Sequence, residues 1–369
     1  MPHDPYKALY VHLPFCVRRC RYCDFATEAA PSDSPAIERY VEDLCLQVRR
    51  ASKEGELGAV ETVYLGGGTP SHVGLSRLSM LLYTLSLSMR LEPDVECTME
   101  ANPESFDARM AADIWALGVN RLSLGVQSLD DEVLGILGRP HDAQAALAAI
   151  AAAGTRFDNV SVDVMCGIPG QSVASLADTL QRLVDAGAKH VSVYPLAVEE
   201  GTSLYRDMMR GRFPEPDEDE QAEAMVAAKE LLERAGFHRY EVASYALEGF
   251  ECRHNKAYWT GKPYLGIGRS AATMTQNDQR RMRVTDGQVT DDLDRRQMYA
   301  EDLMLGMRMS AGVPRELVDE ASSVLPDTKQ VLARLVGIGL VEEDADAFRP
   351  TERGWLQGNE LYGALFDLA

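Results

Sequence analysis

The stretch FCVRRCRYCDF, residues 15–25, decides how the rest of the chain is read. It places Cys16, Cys20 and Cys23 within eight residues, with Arg18, Arg19 and Arg21 between them. Spacing alone leaves three readings: a metal site, a redox pair with a bystander, or chance. A structural zinc site normally takes four protein ligands, and no fourth lies nearby. Three thiols can ligate three irons of a cubane cluster and leave the fourth iron open, whereas four thiols close it and make an electron carrier. The arginines supply positive charge that favours thiolates and offsets an anionic cluster. Cys45, Cys97, Cys166 and Cys252 have no ligand spacing. Cys45 and Cys97 read as core fillers, and Cys166 lies near the expected pocket without an assigned role.

The chain has 369 residues, which suggests one large α/β unit plus an appendage. Its formal net charge of −20 argues against a nucleic-acid partner, which would demand a basic face to displace counterions. The N-terminus MPHDPYKALYVHL lacks a charged head followed by a long apolar core, and the apolar stretch AQAALAAIAAAG is too short to span a bilayer. Seven cysteines, an odd number, fit a reducing cytoplasm where clustered thiols serve metal or catalysis.

Short β-rich runs alternate with helical patterns. Strands are expected at 8–13, 62–66, 95–100, 121–126, 160–165 and 190–196, and helices at 36–51, 75–89, 107–117, 130–137, 142–153 and 172–187. Six such alternations imply parallel strands joined by right-handed crossovers, short of a full eightfold barrel. The expected fold is therefore α/β, a partial (β/α)6 barrel open at one side, with chemistry at the C-terminal strand ends. Cys16, Gly66 to Gly68, Glu100, Gln127, and Asp163 with Cys166 all fall at or near such ends. The segment GRFPEPDEDE (211–220) is a break, and Asp217 with Glu220 fits a capping box for a helix to Ala235. RYEVASYA (239–246) reads as one strand and VTDGQVTDD (284–292) as a loop. The tail is mostly helical and ends in a helix, a turn and a hairpin, as in a winged-helix module; without a basic recognition helix it reads as a structural or docking appendage. The expected division is 1–212 partial barrel, 213–290 barrel extension, and 291–369 helical C-terminal domain.

With Tyr22 before the third cysteine, the C-x3-C-x2-C loop resembles the radical S-adenosylmethionine superfamily. YVHLPFCVRRCRYCDF (10–25), YLGGGTPS (64–71), TMEANPES (98–105), LSLGVQSLDDEVLGILGRPH (122–141) and VDVMCGIPGQS (162–172) follow the order seen in its oxygen-independent coproporphyrinogen oxidase branch. The resemblance implies a 4Fe-4S cluster on Cys16, Cys20 and Cys23, with S-adenosylmethionine chelated to the open iron and cleaved to a 5′-deoxyadenosyl radical. Gly67 and Gly68, followed by Thr69, would let backbone groups approach the methionine amino group. Glu100 would accept hydrogen bonds from the cofactor. Gln127 and Asp163 resemble ribose-side contacts, Arg139 the partner of the methionine carboxylate, and Tyr10 an aromatic at the cluster mouth.

True oxidases of this branch carry a fourth cysteine two residues after the third and a longer N-terminal extension. Here Phe25 occupies that position and fifteen residues precede Cys16. Both departures point to the HemW-like branch of heme chaperones, and CRHNKAYW (252–259) resembles its HNxxYW signature. His254 would be an axial heme ligand, with Tyr258 and Trp259 walling the ring; alternatively the histidine is a hydrogen-bonded turn residue and the aromatics are core. GIGRSAATM (266–274) departs from the branch's GxGAHG, and Arg269 there reads either as a propionate partner or as a surface arginine. The expected partners are heme or a porphyrin, a heme-acceptor protein that includes membrane proteins, an electron donor such as a flavodoxin or ferredoxin, and a second copy of the chain. The competing expectation is a radical enzyme, either acting on a porphyrin precursor or methylating an unreactive carbon.

Overall fold

The computed structural model describes residues 3–369. Six strands, β1 (Tyr6–Leu13), β2 (Leu57–Gly67), β3 (Arg90–Ala101), β4 (Arg121–Gln127), β5 (Asn159–Cys166) and β6 (His190–Pro195), lie side by side in chain order, all parallel. The crossovers between them carry α1 (Pro35–Glu54), α2 (Leu75–Ser88), α3 (Ala108–Ala116), α4 (Asp131–Leu137), α5 (Ala143–Ala153) and α6 (Val173–Asp185). The two periods of the sequence make this arrangement. On β4 and β5, Leu122, Leu124, Val126, Val160, Val162 and Val164 join the main core with Ile37, Val41 and Leu44 of α1. The alternate residues Arg121, Ser123, Ser161 and Asp163 face the other way and interact with one another. The barrel lumen is thus lined by polar groups.

The sheet does not close. After α7 (Ser203–Met209) and α8 (Glu218–Arg234), the segment expected as one strand folds back as β7 (His238–Arg239) and β8 (Ser244–Ala246), paired antiparallel beside β6. A short α9 (Arg253–Trp259) then leads to β9 (Tyr264–Ile267), parallel to β1 on its free side. β10 (Ala272–Asn277), β11 (Arg280–Thr285) and β12 (Gln288–Asp294) extend the sheet antiparallel, giving the order β12-β11-β10-β9-β1-β2-β3-β4-β5-β6-β8-β7. The stretch expected as a loop at 284–292 is therefore half of a hairpin. Its turn is Asp286-Gly287, with both φ angles positive (50° and 76°), the geometry that matches strand twist.

Asp217 caps α8 by accepting from the backbone N–H groups of Asp219 and Glu220. A box with both halves formed occurs instead at α10 (Arg295–Gly306), between Asp294 and Gln297. Beyond it, α11 (Arg315–Val324), α12 (Thr328–Gly337) and a hairpin of Val341–Glu343 with Ala347–Pro350 surround a second apolar cluster, and Val313–Pro314 adds a third strand. Trp355 Nε1 donates to the Val242 carbonyl at 2.7 Å, and Arg239 lies over the same indole, seating this segment on the β7–β8 turn. Among the described residues no helix is long and apolar enough to cross a membrane.

Candidate functional site

The cysteine loop leaves β1 through Phe15–Cys16, which pairs with Glu28–Ala29 and closes residues 17–27 into a tongue over the C-terminal strand ends. Cys16, Cys20 and Cys23 are half-buried and free. Thr69 Oγ1 donates to Cys16 Sγ at 3.4 Å, and Arg139 Nη1 donates to Cys20 Sγ at 3.4 Å. Burial pushes the Cys16 thiol up to about 11, only partly opposed by the Thr69 hydroxyl. The loop arginines are engaged away from the thiols: two brace backbone carbonyls and the third pairs with a side-chain carboxylate. Arg18 donates to the Arg139 carbonyl, Arg19 to the Cys23 carbonyl, and Arg21 pairs with Asp207 of α7. The cation beside a thiol is Arg139.

No group of three or more His, Cys, Asp or Glu side chains among the described residues is gathered as a single metal ion requires. A cubane spreads its ligated irons over separate corners, so its thiols need not converge, and this donor set fits such a cluster.

The second glycine motif is explained by packing. Gly67 has φ +114°, and a Cβ there would lie 2.4 Å from the His12 ring. At Gly68 a Cβ would meet the Pro14 backbone at 2.6 Å. Their N–H groups are already committed, Gly67 to Glu100 Oε2 (3.0 Å) and Gly68 to the Leu13 carbonyl (2.9 Å). Glu100 also accepts from Tyr64 OH at 2.8 Å, and burial raises its carboxyl to about 7 despite both bonds.

Arg139 Nη2 donates to Asn102 Oδ1 and to the Gly125 carbonyl, both at 2.7 Å, while its Nε is buried without a partner. Two of its three nitrogens thus tie the ends of β3 and β4 to the cysteine loop, and its fork is not free for a ligand carboxylate in this arrangement. Gln127 ends β4 at φ 67°, a left-handed conformation rare for a side-chain-bearing residue, and is buried. Asp163 accepts from Ser123 Oγ at 3.2 Å, and burial raises its carboxyl. Tyr22 packs beside the apolar cluster of Val133, Leu137 and Leu204. Tyr10 meets His12 Nδ1 at 3.0 Å and stacks near Tyr64.

Two neighbours escaped sequence reasoning. His12 links Tyr10 to the tongue through the Ala26 carbonyl at 3.2 Å. Asn102 joins Thr69 Oγ1 (2.9 Å) to Arg139. The period-2 pattern of β1 placed His12 with Tyr10 on the inner face, and Asn102 sits inside a motif already singled out; these were the available signals.

The HNKAYW segment lies at the opposite, N-terminal end of the strands. His254 is 1% exposed, its Nδ1 engages Thr62 Oγ1 (2.9 Å), and its Nε2 engages Tyr258 OH (3.0 Å). Its ring stacks on Tyr64, and burial lowers it to about 3. With both nitrogens committed, His254 offers no lone pair to an iron, so the expectation of a His254 heme ligand with Tyr258 and Trp259 as walls is corrected. His254 and Tyr258 plug the barrel base, and Trp259 packs under Arg308. Arg269 pairs with Glu28 at 3.1 Å, both exposed, and so is the surface alternative.

Comparisons with known proteins agree with one another on family and fold. The radical SAM superfamily model matches residues 10–183, and the HemN C-terminal domain model matches residues 293–356. The chain is 32% identical to the heme chaperone HemW of Synechocystis, covering 96% of this chain and 87% of that protein. It is 31% identical to the Bacillus subtilis HemW, covering 97% and 98%. Among solved structures, coproporphyrinogen III oxidase (HemN) from Escherichia coli superposes with a TM-score of 0.83 at 20% identity, over 99% of this chain and 91% of that one. The fold is thus the α/β radical SAM fold in its HemN form, and the chain belongs to the HemW family of the radical SAM superfamily.

Proposed function

We propose that the protein is a heme chaperone that carries a 4Fe-4S cluster on Cys16, Cys20 and Cys23, binds S-adenosylmethionine beside it, and passes heme to acceptor proteins. The observation that carries this reading is the three-thiol tongue. Two residues beyond Cys23 stands Phe25, 66% exposed, so no fourth sulfur is offered where an oxidase of this branch has one. The name shared by the HemW relatives supports heme as cargo. Such a cluster, when bound, supplies an electron to the ligand on its open iron.

The chain's own residues orient and enclose that ligand. Thr69 and Arg139 hold two of the thiols. Glu100, Gln127 and Asp163 line the mouth with polar groups for the amino and ribose ends, and Arg139 adds a buried positive charge near the carboxylate. Gly67 and Gly68 hold the second strand end against His12 and Pro14. Tyr10 and Tyr22 wall the cluster and keep water out. The reading places the protein in the cytoplasm, with an electron donor of the flavodoxin or ferredoxin kind, acceptors that include membrane proteins, and a homodimer as the working form.

Anaerobic reconstitution tests it. The expected results are a cluster spectrum whose EPR signal changes on adding S-adenosylmethionine, a shifted Soret band on heme titration, and no protoporphyrinogen from coproporphyrinogen plus reductant. A chain without a cluster, a cluster indifferent to S-adenosylmethionine, or clear turnover of coproporphyrinogen overturns it.

A further inference from the structure

We infer that Asn102 is a positioning residue for the iron–sulfur cluster: its side-chain amide aims two hydrogen-bond donors at the Cys16 and Cys20 sulfurs and so raises the cluster's reduction potential. This deepens the chaperone reading and rests on its placing a 4Fe-4S cluster on the three thiols.

Donor and acceptor chemistry fixes the direction of each link. A guanidinium only donates, so the Asn102 oxygen must face Arg139, whose Nη2 lies 2.7 Å from it. The amide nitrogen then faces Thr69 Oγ1 at 2.9 Å and donates to it. Having accepted there, the Thr69 hydroxyl has its own proton free for Cys16 Sγ, 3.4 Å away. On the other branch, Arg139 Nη1 donates to Cys20 Sγ at 3.4 Å while Nη2 is held between Asn102 and the Gly125 carbonyl. The reverse amide orientation would set NH2 against the guanidinium and turn the Thr69 proton away from sulfur. Cys23, the third thiol, has only the Thr27 hydroxyl, at 3.9 Å.

The surroundings lock this amide in place. The Asn102 N–H donates to Ser71 Oγ at 3.3 Å, and its carbonyl accepts from the Ser105 N–H at 3.0 Å. A Cβ at position 125 would lie 2.6 Å from Asn102 Oδ1, so glycine there clears the space the amide fills. Thr69 is 1% exposed and Arg139 8%, so bulk water competes weakly for their protons. When one electron passes from the carrier to the cluster, no bond breaks and no proton moves, and the sulfurs gain negative charge. Donors fixed on those sulfurs hold the reduced form more tightly than the oxidised one, which moves the potential upward.

The test is a redox titration of the full, cluster-reconstituted chain with dithionite and mediators, read by EPR. Asn102→Ala should shift the equilibrium about tenfold against reduction, about 59 mV more negative for one electron. Thr69→Val, similar in shape but without the O–H, should move the potential the same way by less, and Thr69→Ser should restore it. Because Asn102 acts through Thr69, Asn102→Ala combined with Thr69→Val should shift the potential by less than the sum of the two single shifts. A merely structural amide would lower the urea midpoint and the bound iron while leaving the potential of the loaded chains unchanged. Wild-type potentials in both Asn102→Ala and Thr69→Val overturn the inference and leave the chaperone reading standing. Should Asn102→Ala hold no cluster, the Thr69 pair decides, and Thr69→Val matching Thr69→Ser overturns it. If wild type forms no cluster, both fall.

Discussion

Gly67 and Glu100 show how single residues set the strand ends that carry the site. Any side chain at Gly67 meets both a left-handed backbone and the His12 ring 2.4 Å away. Gly67→Ala is expected to destabilise the chain by on the order of 2 kcal/mol or more and to lower cluster content, read as denaturant midpoint and bound iron. Glu100 carries a pH dependence. Its buried carboxyl holds a proton up to about pH 7 in the folded chain, against 4.5 ordinarily. Its contribution is full below pH 4.5 and lost as pH rises through 7, a swing on the order of 3 kcal/mol. Urea midpoints of the cluster-free chain should therefore show Glu100→Gln gaining on wild type between pH 5 and 8; parallel curves would refute the assignment. The cysteines were legible because their meaning lies in local spacing. Arg139, Asn102 and His12 take theirs from partners remote in sequence, at the ends of β3 and β4, in the glycine loop and in the cysteine tongue, which no local spacing records.

At the scale of elements, periodicity located the six parallel strands and their helices because each buries one continuous apolar face. It failed where short elements reverse. The Asp286-Gly287 turn carries a two-residue hairpin signal, yet the flanking acids of β12 lack the alternation that marks a half-buried strand. β7 and β8 were merged because the turn between them, Tyr240 to Ala243, is itself apolar enough to pass for strand. The HNKAYW segment was singled out but not as a helix: seven residues show only two turns, too few for a periodic stripe, and its histidine proved to point inward. The cap of α10 gives an element-level prediction. Asp294→Ala removes the half of the box its side chain makes, while the backbone N–H of residue 294 can still donate to Gln297 Oε1; it should cost about 1 kcal/mol, seen as a lower melting temperature with unchanged cluster spectra.

For the whole molecule, the joint between sheet and C-terminal segment is ionic. Arg281 of β11, 2% exposed, bonds Glu301 at 2.5 Å and Asp302 at 2.7 Å on α10, and Arg283 reaches the same Glu301 at 2.9 Å. Arg281→Ala leaves Asp302 without its arginine and Glu301 with Arg283 alone, and should cost on the order of 2–3 kcal/mol, with faster proteolytic cleavage near 295; cleavage at the wild-type rate would show that the joint lies elsewhere. Strand–helix counting foresaw an unclosed barrel without showing what borders its gap. An unclosed sheet has two rims with free backbone donors and acceptors, and each is an invitation to a stray strand from another molecule. One rim, β7, is two residues long and offers almost no template. The other, β12, spans seven residues with Val289 outward, but Asp291, Asp292 and Asp294 stud it with charge. Neutralising Asp291 and Asp292 would remove that deterrent, and fibrillar or sedimenting species should then accumulate at concentrations the native chain tolerates.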